Sequence, residues 1–271
     1  MSLLEEQALC KERELKKYLQ KFTSIAIAYS GGVDSTYLSA VAYEVLSNRC
    51  ILLIADTPSM PREELKEALE FAKQQQWNVS VIYPHEFKDE RFLRNDPQRC
   101  YYCKSELFKT MLEFIKQNNF QAIACGENAD DLLDTTRSGK LAMKEFGVIT
   151  PLSEVGMTKE EIRILSKLRQ LPTADKPSFA CLSSRIPTGT PITIEDLKRI
   201  ESAENILKSL GFKQYRVRNH QNLARIEVEL QDLPRLISEP IRYKIFQEFT
   251  KLGYRYITVD IAGYRTGSTA R

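Results

Sequence analysis

Ser24-Ile25-Ala26-Ile27-Ala28-Tyr29-Ser30-Gly31-Gly32-Val33-Asp34-Ser35 is the stretch that decides the fold. Ser24–Tyr29 is a short apolar run, and it ends in a turn that holds two glycines. A run of this length without alternation marks a strand buried on both faces. Thr36–Leu46 follows with helical periodicity. Strand, glycine turn and helix make the setting in which a phosphate-binding turn works. Gly31 and Gly32 let the backbone approach an anion and take up positive φ. Amide N–H groups from Gly31, Gly32 and Val33 and the start of the helix then converge on negative charge. Ser30 and Ser35 supply hydroxyls. Asp34 supplies a carboxylate able to hold Mg²⁺ across a leaving pyrophosphate. No Walker lysine follows, which excludes the kinase and GTPase type of loop.

Outward from this turn, three more apolar runs read as strands: Cys50–Ala55, Val79–Tyr83 and Ala122–Gly126. Helical patterns separate or follow them at Arg62–Gln76, Lys104–Gln117 and Thr158–Arg169. Pro61 sits where a first helical turn accepts it, and Thr158 with Glu161 forms a capping box. The expected fold class is α/β, a doubly wound parallel sheet, with ligands bound at the carboxyl ends of its strands. Ala28, Asp56 and Thr57, and Gly126 with the acids Glu127 and Asp131, therefore join the nucleotide-site candidates, and the two acids can complete a magnesium site with Asp34. Pro172–Pro191 holds four prolines and reads as a linker or active-site loop. A helix at Ile194–Leu210, strands at Tyr215–Arg218 and Ala224–Leu230, a helix at Arg242–Leu252 and a strand at Tyr256–Asp260 suggest a smaller α+β domain. The domain boundaries expected are 1–172, 173–192 for the loop, and 193–271 for a substrate-binding or oligomerising domain.

The chain has 271 residues, 42% hydrophobic and 28% charged, sufficient for a proper core. Its 39 basic and 36 acidic residues give a net charge of +3. That balance argues against a nucleic-acid or membrane partner. Met1–Lys21 reads as a charged amphipathic helix with no signal-peptide core, and no run approaches the ~20 apolar residues of a membrane span. A cytoplasmic protein is expected. Six cysteines in such a protein argue against a disulfide framework. Cys50 and Cys125 fall inside apolar strands and read as packing residues. Cys100 and Cys103 flank Tyr101-Tyr102 beside Arg99 and Lys104, a basic setting that favours thiolate. Cys181 lies in the proline-rich loop and meets that pair if the loop folds back over the sheet edge. Three such thiols can hold a [4Fe–4S] cluster with one open iron, form a persulfide and resolving pair, or bind zinc with a fourth ligand. Arg216 and Arg218 alternate on one strand and share a face. With Ser184 and Arg185 they form the expected clamp for phosphate and carboxylate groups.

SGGVDS (30–35) resembles the signature of the PP-loop ATP pyrophosphatase superfamily, whose members cleave ATP between the α and β phosphates and adenylate a substrate. DPQRCYYCK (96–104), GENADDLLD (126–134), KPSFACLSSR (176–185), YRVRNH (215–220) and ARIEVE (224–229) extend the likeness over nearly the whole chain. Together with SGGVDS they resemble the LarE family of ATP-dependent sulfur transferases, which serve assembly of the nickel-pincer cofactor. The resemblance implies conversion of the carboxylates of pyridinium-3,5-biscarboxylic acid mononucleotide to thiocarboxylates, with ATP, Mg²⁺ and a small-molecule nucleotide substrate. It implies a homo-oligomer. Some members sacrifice the sulfur of one loop cysteine, and others carry three cysteines and use an iron–sulfur cluster. Cys100, Cys103 and Cys181 place this chain with the second kind. Asp134-Thr135-Thr136-Arg137-Ser138-Gly139 departs from the family's DYRPG-like string, with Arg137 expected at the ATP phosphates. Two other readings share the loop. A tRNA thiolase or ammonia-using synthetase needs a basic face or has no use for the cysteines, and a non-catalytic ATP-binding sensor has no use for Asp34.

Overall fold

The structure, a computed structural model, describes residues 2–133, 139–177 and 180–265. In chain order the elements are α1 (Leu3–Leu19), β1 (Ile25–Ala28), α2 (Val33–Leu46), β2 (Cys50–Ala55), α3 (Arg62–Gln74), β3 (Val79–Ile82), α4 (Glu90–Leu93) and α5 (Arg99–Asn118). Then come β4 (Ala122–Cys125), α6 (Ala129–Leu133), α7 (Gly139–Glu145), α8 (Pro151–Glu154), α9 (Lys159–Leu168) and α10 (Ile194–Ser209). The last are β5 (Tyr215–His220), β6 (Leu223–Val228), α11 (Leu233–Leu236), α12 (Ile241–Lys251) and β7 (Tyr256–Val259).

The chain divides into two compact units, Met1–Lys88 with Cys100–Phe179, and Asp89–Arg99 with Ala180–Arg271. The division falls inside the proline-rich loop, and the short stretch 89–99 groups with the residues after 180.

In the first unit β1–β4 form a four-stranded sheet, order β3-β2-β1-β4, with every pairing parallel. Side chains alternate between its two faces. Ile25 and Ile27 of β1 and Leu52 and Ile54 of β2 belong to one core, with Leu15, Tyr37, Leu38 and Ile162 from the helices. Ala26 and Leu53 point into the other, against Phe108 and Met111 of α5. Burial on both faces explains why these strands are continuously apolar, and the α/β parallel sheet expected from the sequence is the one observed. Helix α9 begins with the anticipated capping box: Thr158 Oγ1 accepts from the Glu161 amide and Glu161 Oε2 accepts from the Thr158 amide.

In the second unit β5–β6–β7 form a mixed sheet, β5 antiparallel and β7 parallel to β6. Its core gathers Leu207 of α10, Val217 and Ile226 of the sheet, and Ile245 and Phe249 of α12. The stretch 89–99 is tied into this unit by Asn95, which is fully buried. Asn95 Nδ2 donates to the Pro187 and Thr190 carbonyls, both at 2.8 Å, and its own carbonyl accepts from the Gly189 amide at 2.8 Å. Among the described residues no helix is long and apolar enough to cross a membrane.

Candidate active site

In the sheet order β3-β2-β1-β4, connections from β1 and β4 leave to opposite sides, so a crevice opens beyond their carboxyl ends. A cavity of about 460 Å³ lies there, lined from the first turn by Ala28, Ser30, Gly32, Val33, Asp34 and Ser35. The turn after β4 contributes Gly126, Glu127, Asn128, Asp130 and Asp131, and Lys104, Lys159 and Cys125 complete the polar wall. Two sequence segments about a hundred residues apart thus meet because their strands are neighbours.

The first turn is knitted by its own serines. Ser30 Oγ and Ser35 Oγ lie 3.1 Å apart, the Gly32 amide donates to Ser30 Oγ at 3.3 Å, and the Ser35 hydroxyl donates to the Gly32 carbonyl at 3.2 Å. Gly31 sits at φ +70°, where a Cβ would stand 2.6 Å from the Ala68 Cβ. Gly32 is the N-cap of α2 and gives the helix no side-chain cap. The first amides of α2 therefore have neither an intrahelical partner nor a capping side chain. At Gly126 a Cβ would stand 2.8 Å from the Ser35 nitrogen and 3.0 Å from the Asp34 carbonyl carbon. Only glycine allows the two turns to come this close.

The cavity is electrically mixed. Lys159 Nζ pairs with Asp34 Oδ2 at 2.5 Å, and Lys104 Nζ with Glu127 Oε1 at 3.4 Å. The Lys159 amide donates to Asp130 Oδ2 at 2.8 Å. Asn128 Oδ1 accepts from the amides of Asp130 and Asp131, and the Asn128 amide donates to Asp131 Oδ2. Burial raises the Asp34 carboxyl above its usual range, Lys159 opposes that rise, and the charge of Asp131 adds to it. Burial pushes the Cys125 thiol up to about 11 and Cys50 to about 12, so both stay protonated at neutral pH.

Lys159, Lys104 and Asn128 at the cavity went unmarked as site residues in the sequence, whereas Asp130 belongs to the acidic stretch after β4 expected there. One signal pointed to Lys159. It is the first residue of a capped helix, where the dipole disfavours a cation. Such a local conflict is characteristic of functional positions.

Other candidates stand apart from this lining. Asp56 pairs with Arg62, whose guanidinium also donates to the Thr57 carbonyl, and neither residue lines the cavity. Arg137 lies outside the described residues. In the second unit Arg185 Nε and Nη2 bind Glu204 at 2.9 and 3.0 Å, and Nη1 donates to the carbonyls of Ala180 and Cys181. Arg218 binds Glu227 at 2.8 Å and donates to the Ser184 carbonyl at 3.1 Å. Arg99 Nη1 donates to the Ser183 carbonyl at 3.0 Å. The Ser184 hydroxyl donates to the Cys181 carbonyl. Three guanidiniums thus converge on the backbone of the Cys181 turn, and two of them are locked to buried carboxylates. Arg216 lies over the Tyr264 ring at 5.4 Å, and burial with the nearby Arg185 charge lowers its pKa.

Among the described residues no three His, Cys, Asp or Glu side chains form a group able to hold a metal ion. The ligand sets expected from the sequence, Cys100 with Cys103 and Cys181, and Asp34 with Glu127 and Asp131, are not among such groups. Cys100 and Cys103 are in the first turns of α5, exposed and half-buried, and Cys181 precedes a 3-10 turn in the second unit. Glu127 is paired with Lys104 and Asp34 with Lys159, each through one carboxylate oxygen. Asp34 Oδ1 is buried with no hydrogen-bond partner among the described residues. Mg²⁺ fits there, since it takes one or two carboxylates and completes its shell with water and phosphate oxygens.

No model of a known protein family matches the chain. An uncharacterized protein of Synechocystis, slr1717, is 38% identical over 264 residues, which cover 96% of this chain and 97% of that protein. An uncharacterized protein of Methanocaldococcus jannaschii, MJ0830, is 32% identical over 98% of this chain and 100% of its own length. A Lactiplantibacillus plantarum protein named pyridinium-3,5-bisthiocarboxylic acid mononucleotide synthase is 29% identical over 95% of this chain and 92% of its own length.

Proposed function

We propose that this chain, which belongs to the family of the Synechocystis and Methanocaldococcus jannaschii proteins, is an ATP-dependent sulfur transferase that turns carboxylates of a pyridinium mononucleotide into thiocarboxylates. The observation that carries the reading is the cavity between the ends of β1 and β4, where uncapped helix amides, Asp34 and two lysines face one space. The name of the Lactiplantibacillus plantarum relative supplies the substrate class.

A carboxylate is a poor electrophile, and adenylation gives it a good leaving group. The amides of residues 31–35 hold the phosphates of ATP, where fixed donors stabilise charge as it develops on pyrophosphate. Lys104 and Lys159 add positive charge on the same wall. Asp34 would hold Mg²⁺, which would supply positive charge for the leaving pyrophosphate. A substrate carboxylate attacks the α-phosphorus and releases pyrophosphate. The Sγ of one of the thiols Cys100, Cys103 or Cys181 then attacks the acyl carbon and expels AMP to give a protein thioester. Loss of that cysteine's Cα proton with cleavage of its Cβ–Sγ bond frees the thiocarboxylate and leaves dehydroalanine.

The test is pyrophosphate release by the full chain with ATP, Mg²⁺ and pyridinium-3,5-biscarboxylic acid mononucleotide. Release is expected with that substrate and not with tRNA or ammonia. Release that ignores the mononucleotide, or that requires tRNA, overturns the reading. Mass spectrometry after one turnover identifies the donor, since loss of H₂S from Cys181 marks a sacrificed side chain and an intact chain marks an exchangeable sulfur.

A further inference from the structure

Lys159 occupies a position that its own helix disfavours. It is the first residue of α9, at the positive end of the helix dipole. Two acids hold it there: Asp34 Oδ2 on its ammonium at 2.5 Å and Asp130 Oδ2 on its amide at 2.8 Å. The ion pair is partly open to solvent, with side-chain exposures of 28% for Lys159 and 20% for Asp34, so it is exchangeable rather than locked. It also stands in the same cavity as the amides of the glycine turn, within reach of any anion bound there. Asp34 meanwhile keeps a second oxygen, Oδ1, buried and without a hydrogen-bond partner among the described residues. One carboxylate thus has one oxygen taken by an ammonium and one waiting for a cation.

We propose that Lys159 is a positioning residue that gates Asp34: its ammonium excludes the divalent cation until a triphosphate draws it away, so nucleotide and cation bind as a pair and not independently. The inference rests on the nucleotide reading of this cavity. A cation approaching Asp34 alone meets the ammonium charge at close range. Phosphate oxygens entering the turn offer that ammonium a richer partner than one carboxylate, and its departure leaves both Asp34 oxygens to the metal. Asp131, whose charge reaches Asp34, keeps the vacated carboxylate in need of a cation. The benefit is that no cation is held without the triphosphate it must serve.

The experiment is Mn²⁺ titration of the full chain, read as loss of the free Mn²⁺ EPR signal, with and without α,β-methylene-ATP. The nucleotide's own Mn²⁺ binding is subtracted. In the wild type, nucleotide is expected to tighten Mn²⁺ binding about tenfold or more, within the usual range of coupling between sites. In Lys159→Gln, nucleotide-free Mn²⁺ affinity is expected to rise about tenfold, and the nucleotide's further effect to shrink. Adding Asp34→Asn to that variant is expected to remove the gain. Equal nucleotide-free affinity in wild type and Lys159→Gln overturns the proposal, as does a gain that survives Asp34→Asn. Equal Mn²⁺ affinity of the wild type with and without nucleotide overturns it even where the variant fails to fold. Calorimetric titration of α,β-methylene-ATP in buffer with saturating Mg²⁺ separates the two ideas, since coupling is reciprocal and nucleotide alone binds weakly under either. No nucleotide binding there sinks the reading of the cavity, whereas binding without the Mn²⁺ effects sinks the gate alone.

Discussion

Gly126→Ala is expected to cut substrate-dependent pyrophosphate release by ~100-fold while the protein stays folded, because misplacing reacting groups by fractions of an ångström to an ångström costs on that order. The added methyl would meet Ser35 N at 2.8 Å, the Asp34 carbonyl carbon at 3.0 Å and Ser35 Cα at 3.0 Å. All three are backbone atoms and none can swing aside. The ends of β4 and the start of α2 must then separate, taking Asp34 and the phosphate-facing amides with them. The stability cost of such overpacking is ~1–3 kcal/mol, and melting followed by circular dichroism measures it. Gly147→Ala is the control. Its φ of +62° carries the strain of a left-handed residue, yet a Cβ there meets nothing within 4 Å. It should lose stability and keep its rate. A Gly126→Ala protein within threefold of wild-type turnover contradicts the placement of chemistry at this crevice.

Arg218→Ala is expected to destabilise the second unit by ~3–5 kcal/mol, because removing one member of a buried ion pair strands the other. Glu227 is fully buried, and Arg218 gives it two donors, Nε at 3.0 Å and Nη2 at 2.8 Å. Arg225 stays 3.2 Å from the other carboxylate oxygen, which favours the lower end of the range. The readout is the urea midpoint of the full chain. Replacing Arg218 and Glu227 together by Met and Leu should recover most of the loss, since a buried pair exchanged for apolar side chains of similar volume is often neutral. If instead Arg218→Ala leaves the urea midpoint unchanged and raises only the KM for the mononucleotide, the arginine is a ligand residue after all.

The sheet was legible because its strands are short, apolar and separated by helices. Cys50–Ala55 is a strand with the boundaries read from the sequence, and Thr158 and Glu161 make the box their spacing indicated. The glycine turn was legible because phosphate-type loops need glycine at fixed places, and Gly31 and Gly126 show why. Longer-range facts were hidden. The pairing of Arg185 with Glu204 and of Arg218 with Glu227 has no sign in the string of letters, since it is set by packing of α10 and by strand pairing. Helix α5 begins at Arg99 rather than Lys104 and takes both CxxC thiols into its first turns, because RCYYC carries no breaker. Lys159 pairs with a residue 125 positions away, a relation that only the folded sheet establishes.

The Asn95 clasp has a consequence for how the molecule is made. Its partner carbonyl at Pro187 follows it by 92 residues. At ordinary ribosomal speeds the strap emerges on the order of 5–20 s before anything exists for it to fasten. Nascent chains stalled in that interval should leave residues 89–99 open to proteases, and a gene cut at the proline-rich loop would ship the later half without its buckle. Anyone grafting or splitting this protein should therefore treat the two units as interlaced cloth and not as beads on a string.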